Sequence, residues 1–137
     1  MVDALRRAHR TVAPDGIVVD LHPDASPPVV EIGSRPTGHV DVEDGAHRHA
    51  AADATIATVV RDGLFAIERV VEFAFHTHAD TIDELRDYIE ENWRNARLDD
   101  LTVSRTREAA REMPGERPRA REHVILTVMR PRRQPVV

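Results

Sequence analysis

Apolar residues at the start of the chain recur at helical spacing. Positions three or four apart would lie on one face of an α-helix, and the residues at these positions are Val2, Leu5, His9 and Val12. The next residues, at 13–16, include a proline and a glycine, which end helices. The sequence therefore predicts an amphipathic helix followed by a tight turn.

A short and nearly continuous apolar run follows that turn, at residues 17–21. Apolar and polar positions do not alternate strictly in it. That pattern is typical of a strand covered on both faces in a mainly parallel sheet. We therefore expect a buried inner strand here.

Two apolar segments, 29–32 and 39–42, lie on either side of turn-forming residues and predict a small β-hairpin. An alanine-rich segment at 46–61 then predicts a second helix. Its expected contact face consists of small residues that allow close packing on a sheet, namely Ala50, Ala54, Ala57 and Val60.

The second half of the chain alternates between strand and helix patterns. Residues 64–75 form the longest strand candidate, and 124–129 form a last strand. Thr81 and Glu84 have the spacing of a capping box at the start of a third helix. A fourth helix is predicted at 101–113, followed by a charged loop at 114–121.

This alternation predicts an α/β architecture with helices packed on a sheet. With no internal repeat and no interior linker, we expect one domain at 1–131 and a frayed tail at 132–137. The net charge of −5 argues against a wholly basic nucleic-acid binder, and the absence of cysteine excludes disulfides. No apolar run approaches the roughly 20 residues of a membrane span, so we expect a cytoplasmic protein.

Residues 5–23 read LRRAHRTVAPDGIVVDLHP. This segment resembles the helix, Pro-Gly-Gly turn and fifth strand of class I S-adenosylmethionine-dependent methyltransferases, with Asp15 in place of the first glycine. The elements that follow are similar to a hairpin insertion and to the closing antiparallel strand pair of that family. The resemblance implies a partial Rossmann-like sheet that spans nearly the whole chain but only about half of the family's domain.

The half that binds the methyl donor has no counterpart in the sequence. In the family, a glycine-rich turn and an acidic residue hold the donor, whereas none of the six glycines here forms a Gly-x-Gly cluster. The resemblance therefore implies a non-catalytic or partner-dependent module, with no cofactor bound by this chain alone. The alternative is a methyltransferase subunit that binds S-adenosylmethionine once another chain or upstream sequence completes it.

A half-domain of this kind leaves one edge of its inner strand unpaired, and exposed strand edges pair with other chains. We therefore expect a homodimer or a complex with a companion protein that carries the missing half. Arginines are numerous in the last third of the chain, but interleaved glutamates favour solvated ion pairs over a nucleic-acid surface.

Histidines provide a third hypothesis, a small dimeric ligand- or metal-binding protein. Two His-x-His pairs occur, at His47 with His49 and at His76 with His78. Residues two apart on a strand share a face, so His76 and His78 could reach one metal ion, with Asp80 nearby. Imidazole and carboxylate are common metal ligands.

Polar residues also follow the predicted inner strand, at the end where open α/β sheets bind ligands. Asp20 and His22 would share one face of the strand, and Asp24 follows them. A carboxylate beside a histidine can orient it for general acid or base catalysis. Asp20 and His22 are therefore the candidate catalytic residues, and no serine or cysteine lies in a nucleophile elbow.

Overall fold

A computed structural model of the chain describes residues 1–133 and confirms the α/β class. Within them the helices are α1 (Val2–Thr11), α2 (Gly45–Arg61), α3 (Ile82–Asn92) and α4 (Asp100–Glu112). The strands are β1 (Val18–Pro23), β2 (Val29–Ile32), β3 (Arg35–His39), β4 (Asp41–Val42), β5 (Phe65–His78), β6 (Ala96–Arg97) and β7 (Pro118–Pro131). Positions 134–137 of the predicted tail lie outside the described residues.

The chain divides into two compact units. Unit 1 contains Met1–Asp24, His47–Phe73 and the chain from Val124 onward, and unit 2 contains Ala25–Ala46 and Ala74–His123. Both β5 and β7 contribute residues to each unit. The single domain expected at 1–131 stays a prediction.

Unit 1 has helices packed against a sheet. β1 runs antiparallel to β7, with Val18 opposite Met129 and Pro23 opposite Val124. Its core combines side chains from α1, α2, β5 and β7, and its buried members are Leu5, Ile56, Val59, Phe65 and Met129. Burial of this cluster is what fixes both helices to the strands, because short helices gain most of their stability from tertiary packing.

The prediction that β1 is covered on both faces in a mainly parallel sheet is wrong. β1 pairs antiparallel with β7, and its side chains alternate between the two faces. His22 is 8% exposed, whereas Val19 and Leu21 are 51% and 57% exposed. The apolar run misled the prediction because the outward-facing residues of this strand are themselves apolar.

The predicted contact face of α2 is wrong for its three alanines. Ala50, Ala54 and Ala57 are exposed, whereas Val60 is partly buried and packs against the core of unit 1. The more deeply buried residues are Ala52, Thr55, Ile56 and Val59. The buried face is the one that carries the larger apolar side chains. Burying this face is favoured because the free energy gained on burial increases with the apolar area removed from water.

In unit 2 the predicted hairpin is confirmed, with a shifted second strand. β2 pairs antiparallel with β3 at Arg35–His39 instead of the predicted 39–42. The tight turn is possible because Gly33 adopts a positive φ of 56°. β2 also pairs antiparallel with the first residues of β7.

Both helices of unit 2 begin at side-chain caps. The Thr81 hydroxyl accepts a hydrogen bond from the Glu84 backbone N–H at 3.2 Å, and the Asp99 carboxylate accepts one from the Thr102 N–H at 2.6 Å. The core of unit 2 contains residues from these helices and from β2 and β7, including Val30, Leu85, Ile89, Val103 and Ala120. No helix within residues 1–133 combines the length and hydrophobicity needed to cross a membrane.

The predicted charged loop at 114–121 is wrong in its second half, where β7 begins at Pro118. Pro118 and Ala120 are buried, and Arg119 lies opposite Glu31 of β2. Alternation between small buried residues and arginines makes this segment an amphipathic strand. The high charge concealed that period-two pattern.

Candidate functional site

The candidate residues Asp20 and His22 lie side by side on β1, and α2 adds a third group. The Nδ1 atom of His22 is 2.5 Å from Oδ2 of Asp20, and its Nε2 atom is 2.7 Å from Oδ1 of Asp53. Both residues of β1 share a face because they are two positions apart. The result is an imidazole ring held between two carboxylates, which we call the Asp–His–Asp cluster (Asp20, His22, Asp53).

Both ring nitrogens of His22 can donate to these carboxylates only when the imidazole is protonated. Burial is the largest single influence on the pKa of His22, and it lowers that pKa. The hydrogen bonds and negative charges of Asp20 and Asp53 raise the pKa and together outweigh burial. The net pKa is therefore raised above the ordinary 6.5. Protonation of His22 would place a positive charge in a nearly buried position, between two carboxylates.

A second histidine near the cluster is shifted in the opposite direction. Burial, followed by the positive charges of Arg48 and His22, lowers the pKa of His49, although Asp24 and Asp53 act against that change. The pKa values of the two histidines are thus shifted in opposite directions from the same ordinary value.

This arrangement sets limits on the chemistry of His22. An imidazolium whose two N–H groups already donate to carboxylates is not available as a general base. It could release a proton only after the contact with Asp53 or Asp20 opens. Asp53 is the more exposed partner, with 54% of its side chain accessible against 18% for Asp20.

Sequence reasoning identified Asp20 and His22 but missed Asp53. The two bonded residues His22 and Asp53 are 31 positions apart, so their contact depends on how α2 packs. One signal was present in the sequence, because Asp53 is the sole carboxylate in an alanine-rich helix. Asp24, which follows them in the sequence, acts through its charge on His49.

The predicted metal candidates lie where β5 ends. His76 and His78 are both on the strand, with ring centroids 6.0 Å apart. Asp80 pairs instead with Arg117, at 3.5 Å between Oδ1 and Nη1. Within residues 1–133, no three His, Cys, Asp or Glu side chains are grouped so that they could hold a metal ion.

The raised pKa of His22 predicts a pH-dependent contribution to stability. A histidine whose pKa is higher in the folded state stabilises the fold below its ordinary pKa of 6.5. That contribution to stability is lost as pH rises through the pKa that His22 has in the folded state. Removing a carboxylate partner of His22 should therefore lower the free energy of unfolding most at pH values below 6.5.

We expect Asp53→Asn to be less stable than the native chain at pH 6, and the difference in free energy of unfolding to shrink as pH rises above 6.5. Urea unfolding at several pH values measures it. Asp62→Asn is the matched control, because Asp62 is an exposed aspartate of unit 1 that pairs with Arg6 at 3.6 Å. A difference that stays constant across pH for Asp53→Asn would contradict the prediction.

Comparisons of the chain with protein-family models, with curated proteins and with solved structures found no match. The resemblance to class I methyltransferases therefore stays a prediction from residues 5–23 and the order of elements.

Proposed function

We propose that this chain is a methyltransferase-like, non-catalytic module that associates with a second copy of itself through β1. The observation that carries the proposal is the open edge of β1. Within residues 1–133 the only strand that pairs with β1 is β7, so the other edge presents unpaired backbone N–H and C=O groups. Such an edge is a template for pairing with another chain.

An apolar surface lies beside this edge. Val19 lies opposite Val128, and Leu21 lies opposite Leu126. Paired residues of neighbouring strands lie on the same face of a sheet, and the two β1 side chains are more than half exposed. Monomeric proteins in water rarely leave contiguous apolar patches uncovered, so this face favours burial against a partner.

The residue order of β1 favours a second copy as that partner. A two-fold axis through Leu21 of an antiparallel strand pair would place Leu21 against the Leu21 of the second copy. The same axis would place Asp20 opposite His22 in both directions. Closed two-fold interfaces require such self-complementary surfaces, and this axis pairs Leu21, the most exposed apolar residue of β1, with its own copy.

The predicted absence of a donor site fits this role. The resemblance assigns β1 to the strand at which the missing half of the family's sheet would continue, and a second copy would cover the same edge. A companion chain that carries a donor-binding half is the alternative occupant. If the proposal is correct, the chain alone takes up no stoichiometric S-adenosylmethionine in calorimetry.

Substitution of Leu21 by arginine should weaken self-association. Two arginines would lie side by side at the two-fold axis, where like charges destabilise a strand pair, and we expect the dimer dissociation constant to rise about ten-fold. Sedimentation equilibrium over a range of concentrations measures it. Leu101→Arg is the control, since Leu101 on α4 has the same 57% exposure as Leu21.

Cross-linking tests the position of the axis, because the native chain has no cysteine. Leu21→Cys should form an intermolecular disulfide under mild oxidation, and Leu101→Cys should not. A native chain that remains monomeric at concentrations of about 100 µM would refute self-association, since dimers with micromolar dissociation constants are populated there. A heteromeric complex that carries methyl-donor binding would support the alternative occupant.

A further inference from the structure

Arginines alternate along the start of β7 in unit 2. Arg119 and Arg121 are two positions apart on the strand, and Arg117 immediately precedes it. Residues at this spacing lie on the same face. The neighbouring residues Pro118 and Ala120 are buried, so the arginines lie on the opposite side of the strand.

A buried carboxylate anchors two of these arginines. Glu31 of β2 is 3% exposed, and its Oε1 atom accepts hydrogen bonds from Nε of Arg119 at 2.8 Å and from Nε of Arg121 at 3.3 Å. One carboxylate balances one positive charge and leaves the second uncompensated by this contact. The two arginine side chains retain 30% and 38% exposure.

His78 of β5 lies close enough to these arginines for their charges to act on it, and His76 lies beside His78. Burial is the first cause that lowers the pKa of His78, and the positive charges of Arg117 and Arg119 and the neighbouring His76 lower it further. The His78 ring therefore lies within the electrostatic field of the arginines. Asp80 partly offsets that field through its contact with Arg117.

We propose that this surface binds the phosphate group of a small phosphorylated molecule. We call it the arginine–histidine surface and define it by Arg117, Arg119, Arg121, His76 and His78. Guanidinium groups bind phosphate oxygens through planar pairs of N–H donors. Glu31 restrains two guanidinium groups before any ligand arrives, which reduces the entropy lost on binding.

The proposal is independent of self-association through β1. Every residue of the surface belongs to unit 2, and the β1 edge belongs to unit 1. A dianion beside His78 would counter the positive charges that lower the pKa of His78. The pKa of that ring should therefore rise when phosphate is bound.

Inorganic phosphate is the probe for this surface, titrated against the full chain at pH 7.5 with chloride at matched ionic strength as the reference. We expect saturable binding in calorimetry and, by NMR, a rise in the pKa of His78 when phosphate is present. Arg121→Gln should weaken binding about ten-fold, the usual effect of losing one charge-assisted hydrogen bond. Arg94→Gln is the control, because Arg94 is exposed and lies outside the surface.

His78→Asn is the second variant, and it leaves the contact between Glu31 and the arginines intact. It should weaken phosphate binding with no change in the unfolding midpoint, which separates a loss of ligand contact from a loss of folding. Absence of saturable binding would overturn the proposal. Equal weakening of phosphate binding by Arg94→Gln would also overturn the proposal. So would tighter and strongly salt-dependent binding of oligothymidylate that all arginine variants share. Either result indicates a general polyanion surface.

Discussion

Truncation of Phe65 to alanine is expected to lower the free energy of unfolding by about 3–5 kcal/mol, the range for large-to-small changes in a packed core. Phe65 is fully buried and contributes to the core of unit 1 together with residues of both helices. Its ring also meets that of His9 edge-on, with centroids 5.3 Å apart. Urea unfolding followed by circular dichroism measures the change.

Phe75→Ala provides a control on the same strand. Phe75 is 55% exposed, so its truncation removes little buried area and should cost less than about 1 kcal/mol. Equal small losses for the two variants would contradict the assignment of Phe65 to the core. Equal large losses would instead indicate that Phe75 is covered by a partner.

Gly38→Ala is expected to cost about 1–3 kcal/mol, the usual penalty for overpacking a tight contact. A Cβ atom at Gly38 would lie 2.3 Å from Oγ1 and 2.7 Å from Cγ2 of Thr102. These distances are shorter than any van der Waals contact, and Thr102 is a buried β-branched residue near the start of α4. The hairpin and α4 would have to move apart, which a lowered urea midpoint would reveal.

A double-mutant cycle tests the origin of that loss. Thr102→Ala removes both clashing atoms, so Gly38→Ala should cost at least about 1 kcal/mol less in that background. Gly63→Ala is the comparison, because Gly63 has a φ of 74° and, among residues 1–133, no atom beyond its chain neighbours lies within 4 Å of where an added Cβ would sit. Its cost reflects backbone strain alone, and Thr102→Ala should not relieve it.

The helices were the most predictable part of the fold because each has a local signal. α1 and α3 carry apolar residues on one face, and the cap of α3 at Thr81 is visible as a spacing of three to Glu84. α2 shows the limit of that method. Alanine lies on all its sides, so only Ile56 and Val59 distinguish the buried face.

The sheet was less predictable because strand pairing depends on residues far apart in the chain. The direction of β1 depends on its pairing with β7, which lies about 110 positions later in the chain. In this pairing Val18 lies opposite Met129. The start of β7 depends in the same way on Glu31, whose contact with Arg119 spans 88 positions. Local composition records the charge of that segment but not the buried carboxylate that neutralises part of it.

The candidate site was predictable where its contacts are local in the sequence, and unpredictable where they depend on packing. Asp20 and His22 share a strand face, so their contact follows from sequence spacing once a strand is assumed. Asp53 joins them only because α2 packs with a particular rotation. The strand predicted at 64–75 ended before His76 and His78, whereas β5 continues through both. Metal binding stays a prediction that depends on ligands beyond the pair.

Unit 1 is assembled from three separated stretches of chain, and this fixes the order in which it can be completed during synthesis. The ribosome produces Leu5 and Phe65 long before Met129, which fills the same core. Until β7 emerges, β1 lacks its pairing strand and the apolar side of α1 remains in contact with water. Closing such distant contacts slows folding, and unit 1 cannot complete its core until β7 has been synthesised.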